Sequence, residues 1–428
     1  MLIGHNTAQH TTHAMKILHT SDWHLGRTLY GRKRSAEFTH MLDWLVKTIQ
    51  LQGVDVLLVA GDIFDTTTPS NQAQTLYYRF LSQVAQTSCQ HVVLIAGNHD
   101  SPSLLNAPRE ILHALNVHVV GTITPAVQDH ILVLRNAQGA PMLIVCAVPY
   151  LRDRDIRSVE SEEQIEDKSR KLVEGIRAQY AAVLDQAEQI RAAQKIPVPL
   201  VVMGHLFTAG GQTSEGDGVR ELYVGSLAHV PVTLFPPLCD YVALGHLHLP
   251  QQVGPAIRYS GSPLPMGFGE ANQKKSVVLV EWALQPSASV QTKPTSISLL
   301  PVPVFQELTR LQGDLDALAR QIHDLGATHP GAWLEIVYDG TERRADLRER
   351  LEAYLGKSGM EILRIKSAYA NQALHQADAE ERLEDLDAHA VFIRCLDAHV
   401  VPDAQRPPLL QAYQEILTQL HEDDVQAE

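Results

Sequence analysis

The chain has 428 residues, 45% of them hydrophobic and 20% charged, and a formal net charge of −14. That length exceeds what one hydrophobic core usually serves and predicts two or three domains. The acid excess argues against a protein that coats nucleic acid non-specifically, because phosphate neutralisation needs clustered Lys and Arg, and no apolar run approaches a membrane span in length.

Residues 1–14, MLIGHNTAQHTTHA, lack the basic region and apolar stretch of a secretory signal and read as a disordered leader outside the fold. Met15 opens the first strand, MKILHTSD. From there apolar runs alternate with helix-patterned segments: residues 37–52, VDVLLVAGD, residues 69–86, then HVVLIAGN. This β-α-β-α-β order predicts a sheet with helices packed on its faces. Within the first turn, RTLYGRKR groups Arg27, Arg32, Lys33 and Arg34 around Tyr30, either a DNA-contacting patch or a solvated charge run.

Further strands are predicted at HILVLR, MLIVCAVP, VPLVVMGH, YVALGH and SVVLVEWAL. Between two of these, Ile165, Leu172, Ile176, Tyr180 and Leu184 recur at helical spacing, so residues 161–194 read as a surface helix. The Ser, Thr and Pro texture of residues 286–303 marks a boundary. Beyond it a helix at 307–323, the strand AWLEIVYDG, a helix at 347–355 and the strand MEILRIKS make a second, smaller α+β unit. In the tail, Leu383, Leu386, Ala390, Ile393, Leu396 and Val400 recur at three- and four-residue steps, as do Leu409, Tyr413, Ile416 and Leu420. Each set makes one apolar stripe, and the proline-rich VPDAQRPP between them reads as a connector of two helices. Four cysteines, Cys89, Cys146, Cys239 and Cys395, show no C-x-x-C spacing, which fits neither a disulfide framework nor a zinc ribbon and points to a reducing cytoplasm.

The strand ends carry the chemistry. TSDWHLG sets Asp22 and His24 two residues apart, and such residues share a face on an extended chain. VAGDIFD puts Asp62 just after a buried run, and IAGNHD brings Asn98 and His99 to the matching point of the next strand. VMGHLF supplies His205, and ALGHLH supplies His246 and His248. Singly, Asp22 could cap a helix and Asp62 or Asn98 could form a turn. Together, seven N/O ligand residues behind apolar strands predict one shared site, at the carboxyl rim where sheets of this kind bind ligands. Asp, Asn and His without thiolate suit Mn²⁺, Fe²⁺ or Zn²⁺ better than a structural zinc. Seven ligands exceed one tetrahedral shell, whereas two ions roughly 3.5 to 4 Å apart and sharing a carboxylate use them all.

The set D-x-H, G-D-x-x-D, G-N-H-D, G-H and G-H-x-H, here Asp22/His24, Asp62, Asn98/His99, His205 and His246/His248, resembles the calcineurin-like metallophosphoesterase family. MKILHTSDWHLG, VAGDIFDTTTPS, AGNHDSP, YVALGHLH and YSGSPLPMGF resemble more narrowly its bacterial DNA-nuclease branch, over residues 15–270. The resemblance implies an α/β fold: a metallophosphoesterase β-sandwich flanked by helices over 15–285, a smaller α+β capping and DNA-binding domain over 300–370, and C-terminal helices over 377–422 that bind a coiled-coil ATPase. It implies one ion on Asp22, His24, Asp62 and His248, a second on Asp62, Asn98, His205 and His246, and Mn²⁺ as the metal. His99 takes a catalytic role in the family, and Asp100 is placed to orient its ring. Relatives outside the bacterial branch carry a histidine where this chain has Asp65, so Asp65 cannot take that histidine's part.

The implied activity is Mn-dependent 3′ to 5′ exonuclease and endonuclease cleavage of duplex ends and hairpins, in DNA repair, recombination and replication. The chain would act as a homodimer within a heterotetramer, without contact to a membrane. It has no G-x-x-x-x-G-K-[ST], so any ATP dependence comes from the partner. Two alternatives stand beside this one: a stand-alone phosphoesterase for small nucleotides or phosphoproteins, and a noncatalytic scaffold on the same fold.

Overall fold

The computed structural model describes residues 15–156, 165–194, 196–208, 210–211, 230–283, 292–340 and 346–367, with a few positions between 392 and 413. The leader 1–14 and most of the tail at 377–422 lie outside the described residues. The chain divides into two units between Glu307 and Leu308.

The first unit opens with β1 (Met15–Thr20), a short hairpin of β2 (Thr28–Leu29) and β3 (Arg32–Lys33), and α1 (Ser35–Gln52). It continues through β4 (Val56–Ala60), α2 (Asn71–Val84), β5 (His91–Ile95), α3 (Pro102–Asn106), α4 (Arg109–His113) and β6 (Val117–Val120). There follow β7 (Ile131–Arg135), β8 (Pro141–Ala147), α5 (Asp153–Ile156), α6 (Ile165–Ala192), β9 (Leu200–His205), β10 (Tyr241–Gly245), β11 (Gln251–Gly254) and β12 (Ile257–Tyr259). β13 (Ser276–Trp282) and β14 (Ser296–Pro301) then bring the chain back to the first strand. One sheet has the order β14-β13-β1-β4-β5-β6, and the other β11-β12-β10-β9-β8-β7.

Side-chain alternation sets the layers. Ile17, Leu58, Val93 and Val280 of one sheet share a buried core with Val145, Val201 and Ala243 of the other. Their sequence neighbours face away, Leu18, Leu57 and Leu94 packing with Phe38, Met41 and Phe80 of α1 and α2, and Cys146, Val202 and Val242 packing with Tyr180 and Val183 of α6. The result is the expected helix-flanked sandwich. Strands covered on both faces have no polar alternate, which is why they stand out as unbroken apolar runs. Full burial of each such side chain contributes about 1.5–3 kcal/mol.

Two local readings change. The Ser/Thr-rich stretch expected as a boundary contains β14, paired in register from Ser276↔Pro301 to Glu281↔Ser296. As an edge strand it needs few apolar contacts, supplied by Ile297 and Leu300, so its composition resembles a linker. In the second unit, the helix expected at 307–323 is β15 (Leu308–Gly313) followed by α7 (Leu315–Thr328). Leu308 and Leu311 are spaced for a helix, but parallel pairing with β16 (Trp333–Tyr338) extends them, and Asp314 caps α7 by accepting from the Ala317 N–H at 2.8 Å. α8 (Leu347–Leu355) and β17 (Glu361–Ser367) complete a parallel β-α-β-α-β unit, with Leu318, Ile322 and Leu351 packed on Leu334 and Ile336. No helix among the described residues is long and apolar enough to cross a membrane. Cys89, Cys146 and Cys239 are free thiols, and Cys395 lies outside the described residues.

Candidate metal centre

The strands β1, β4 and β5 of one sheet and β9 and β10 of the other all end at the same rim. Beyond β1 the chain turns through Asp22 and His24, beyond β4 through Asp62, and beyond β10 through His246. All four are non-glycine residues with positive φ, at 54°, 49°, 50° and 102°. Such backbone is strained, and it clusters here because straight continuation of the strands would carry these side chains past one another. Glycines make room for the convergence: a Cβ on Gly97 would lie 2.1 Å from Asp62 Oδ1, and one on Gly245 would lie 1.9 Å from the Ala60 carbonyl oxygen.

Each of the seven ligand-type residues reaches this rim. Asp22, His24 and His248 present ligand atoms within 4.8 Å of one another, and Asp22, Asp62 and His205 form a second such group. Asp22 is common to both groups, and Asp62 Oδ2, of the second, lies 3.4 Å from His205 Nε2 and 3.7 Å from His24 Nε2 of the first. Asn98 Oδ1 is 3.0 Å from His205 Nε2 and 3.1 Å from His246 Nδ1. The His246 N–H donates to Asp22 Oδ1 at 2.9 Å, tying one sheet to the other. Asp22, His24, Asp62, His205 and His248 are buried, whereas Asn98, His99 and His246 are half-buried. The open side therefore carries Asn98, His99 and His246.

Tautomers decide whether cations fit. His205 Nδ1 donates to the Ala60 carbonyl at 2.8 Å, so Nε2 is the nitrogen that faces Asn98 Oδ1 and Asp62 Oδ2. His248 Nδ1 donates to Glu270 Oε1 at 2.9 Å, leaving its Nε2 turned toward His24 Nε2 at 3.2 Å. Lone pairs and carboxylate oxygens converging on common points repel unless a positive charge lies among them. In the metal-free chain a proton on His205 supplies part of that charge. Burial alone would depress His205, but Asp62 and then Asp22 outweigh it and push its pKa up to about 9. Burial would raise Asp62, yet His205, His24 and His99 hold it well below the carboxylate range. Burial pushes Asp22 up to about 6, against the pull of His205 and His248. It also drives His24 down to about 4 and His246 to about 3, so both are neutral imidazoles with lone pairs to give. The donor set of this pocket suits divalent metal ions.

Other expected site residues are placed differently. His99 Nδ1 donates to the Asp65 carbonyl at 2.8 Å, and the His99 N–H donates to Asp62 Oδ1 at 2.9 Å. Asp100, expected to orient that ring, instead accepts the N–H groups of Ile63, Phe64 and Gly97 at 3.1, 2.9 and 2.8 Å. It is fully buried and clamps the β4 turn to the β5 turn. Arg27 donates to Asp65 Oδ1 at 3.0 Å, and the same oxygen lies 3.4 Å from His24 Nδ1, so Arg27 braces the site through Asp65. Arg34 also leaves the candidate DNA patch: it is buried in a two-pronged pair with Glu37, at 2.7 and 2.8 Å. Arg32 and Lys33 remain exposed on the hairpin, whose Tyr30 ring stacks over Phe268 at 5.8 Å. No motif singled out Glu270; the sequence signature ends two residues before it, and only burial against His248 marks it.

A helix-flanked double sheet that gathers Asp, Asn and His at its strand ends defines a metal-dependent phosphoesterase. The sequence model of the family "Calcineurin-like phosphoesterase" matches residues 15–250, and that of "Type 5 capsule protein repressor C-terminal domain" matches residues 304–400. The chain is 36% identical over 400 residues to the SbcD subunit of the nuclease SbcCD from Escherichia coli (strain K12), covering 92% of this chain and 96% of that protein. It is 36% identical over 368 residues to the SbcD protein of Rhodobacter capsulatus, covering 83% and 89%, and 36% identical over 271 residues to that of Bacillus subtilis, covering 62% and 66%. The chain belongs to the calcineurin-like phosphoesterases and, among them, to the SbcD nuclease subunits.

Proposed function

We propose that this chain is the DNA-cleaving subunit of an SbcCD-type complex, using a pair of Mn²⁺ ions to hydrolyse phosphodiesters as a 3′ to 5′ exonuclease on duplex ends and an endonuclease on hairpins. Asp22, His24 and His248 would hold one ion and Asn98, His205 and His246 the other, with Asp62 shared. The observation that carries this reading is the position of Asp62 Oδ2 between His24 Nε2 and His205 Nε2. When bound, such a pair lowers the pKa of a water and neutralises charge on the phosphate oxygens.

The chain's own residues supply the rest. Half-exposed His99 keeps Nδ1 on the Asp65 carbonyl, so Nε2 is its atom available to a departing sugar oxygen. Arg32 and Lys33 steer the backbone phosphates. The region over residues 300–370 contacts DNA. The tail at 377–422 binds an SbcC-type coiled-coil ATPase, with the chain as a homodimer within a heterotetramer, in the cytoplasm, serving DNA repair, recombination and replication. The test is Mn²⁺-dependent release of nucleotides from duplex DNA, compared with release of nitrophenol from a small phosphodiester. Hydrolysis of the small ester with no attack on duplex DNA would replace this reading by a stand-alone esterase.

A further inference from the structure

We propose that Glu270 and Lys275 form a buried bracket that positions His248, gripping its ring and its main chain together and thereby setting the affinity of the ion on the Asp22/His24/His248 side. This rests on His248 being a metal ligand. Glu270 is 0% exposed and Lys275 6%. Glu270 Oε1 accepts the His248 Nδ1–H at 2.9 Å, while Oε2 accepts the Met266 N–H at 3.0 Å and lies 2.5 Å from Lys275 Nζ. Lys275 Nζ also donates to the His248 carbonyl at 3.1 Å, to Ser262 Oγ at 3.0 Å and to Gln273 Oε1 at 2.8 Å. The Ser262 N–H donates to that same carbonyl at 3.1 Å.

Residue 248 is thus held at both ends by one ion pair. A ring tied through Nδ1 on a peptide tied through its carbonyl can neither flip nor change tautomer, so its Nε2 lone pair stays aimed at His24 Nε2, 3.2 Å away. The ammonium cancels the carboxylate, which lets Glu270 act through its hydrogen bond without adding net charge to the centre. A carboxylate behind a ligating imidazole raises its basicity and fixes its orientation. His205 has a weaker support, the neutral Ala60 carbonyl on its Nδ1. The two halves of the centre are therefore unequal, and the ion on the His248 side is the tighter one.

The test is calorimetric titration of the metal-free full chain with Mn²⁺. Replacing Glu270 alone would strand a buried ammonium, so the variants are the doubles Glu270→Gln/Lys275→Met, which still accepts the Nδ1–H, and Glu270→Leu/Lys275→Met, which does not. The expected result is a loss of about 10-fold in the first and about 100-fold in the second at the tighter site only, with thermal unfolding showing that both variants fold. Wild-type affinity in both folded variants, or equal weakening of both sites, would overturn the bracket. Independently of any variant, nitrogen-15 spectra of histidine-labelled wild type should show His248 as the Nδ1–H tautomer, and an Nε2–H tautomer would also overturn it. A wild-type chain that binds no Mn²⁺ would refute the metal reading beneath it, which separates the two failures.

Discussion

At the meeting of the two sheets His205 donates from Nδ1 to the Ala60 carbonyl and faces Asp62 with Nε2, so one residue joins β9 to β4 and the packing to the chemistry. Its pKa, raised from 6.5 to about 9 by the two carboxylates against the opposing effect of burial, has two consequences. Because the folded value exceeds the unfolded one, this stabilisation of the metal-free fold is complete below about pH 6.5 and is lost as pH rises through about 9. A divalent ion held by His205 would have to displace that proton. Apparent Mn²⁺ affinity should therefore climb up to about tenfold per pH unit between 7 and 9, with about one proton released near neutrality. Binding heats that do not change between buffers of different ionisation enthalpy would contradict this. His99 tests the other half of the residue chemistry: His99→Ala should lower DNA cleavage by about 10²- to 10⁴-fold, with both ions still bound. Its ring is held by the Asp65 carbonyl and meets His24 edge-on, with centroids 4.8 Å apart, so matching loss of metal would make it a ligand instead.

The elements act at their ends. A turn that carries a ligand-type residue must approach its neighbour closely, and Gly97 permits this between β5 and Asn98. Gly97→Ala would drive its Cβ to 2.1 Å from Asp62 Oδ1, so it should cost about 1–3 kcal/mol through overpacking and weaken binding of both ions, since Asp62 faces both groups. Denaturant melts and Mn²⁺ titration of this one variant check both effects, and unchanged metal binding would remove Asp62 from its shared position. The β2–β3 hairpin separates structural from exposed cations. Arg32→Ala with Lys33→Ala should flatten the salt dependence of duplex binding while hydrolysis of a small diester is spared, and an unaltered slope would leave these residues as a solvated charge run. Arg34→Ala would instead strand buried Glu37 and cost about 3–5 kcal/mol of stability.

Across the whole molecule the candidate rim lies in the first unit, because all seven ligand-type residues precede Glu307. For the tail the proposed task is partner binding. Among its described residues Phe392 and Tyr413 stack at 4.0 Å, and Ile393 and Leu409 are exposed. Ending the chain before Ala377 should leave a folded, Mn²⁺-binding phosphodiesterase that no longer copurifies with its ATPase, because amphipathic helices of this spacing bind by laying apolar anchors in a groove. Stable complex formation by the shortened chain would refute that division of labour.

By itself the sequence determined the sandwich, because strands buried on both faces must be unbroken apolar runs, and it determined which residues crowd the rim, because ligand types follow those runs directly. It did not determine the second unit's first strand, whose Leu308 and Leu311 suit either period until β16 pairs with them. Nor could it separate Arg34 from Arg32, since neighbours in a charged run differ only in which partner burial brings, or show that Asp100 would turn to the N–H groups of Ile63, Phe64 and Gly97. Glu270 and Lys275 meet His248 through a fold that joins residues 22 and 27 positions apart. Local patterns record which face a side chain takes; which distant group waits there is decided by tertiary packing, because a buried charge is stable only beside the partner that packing brings to it.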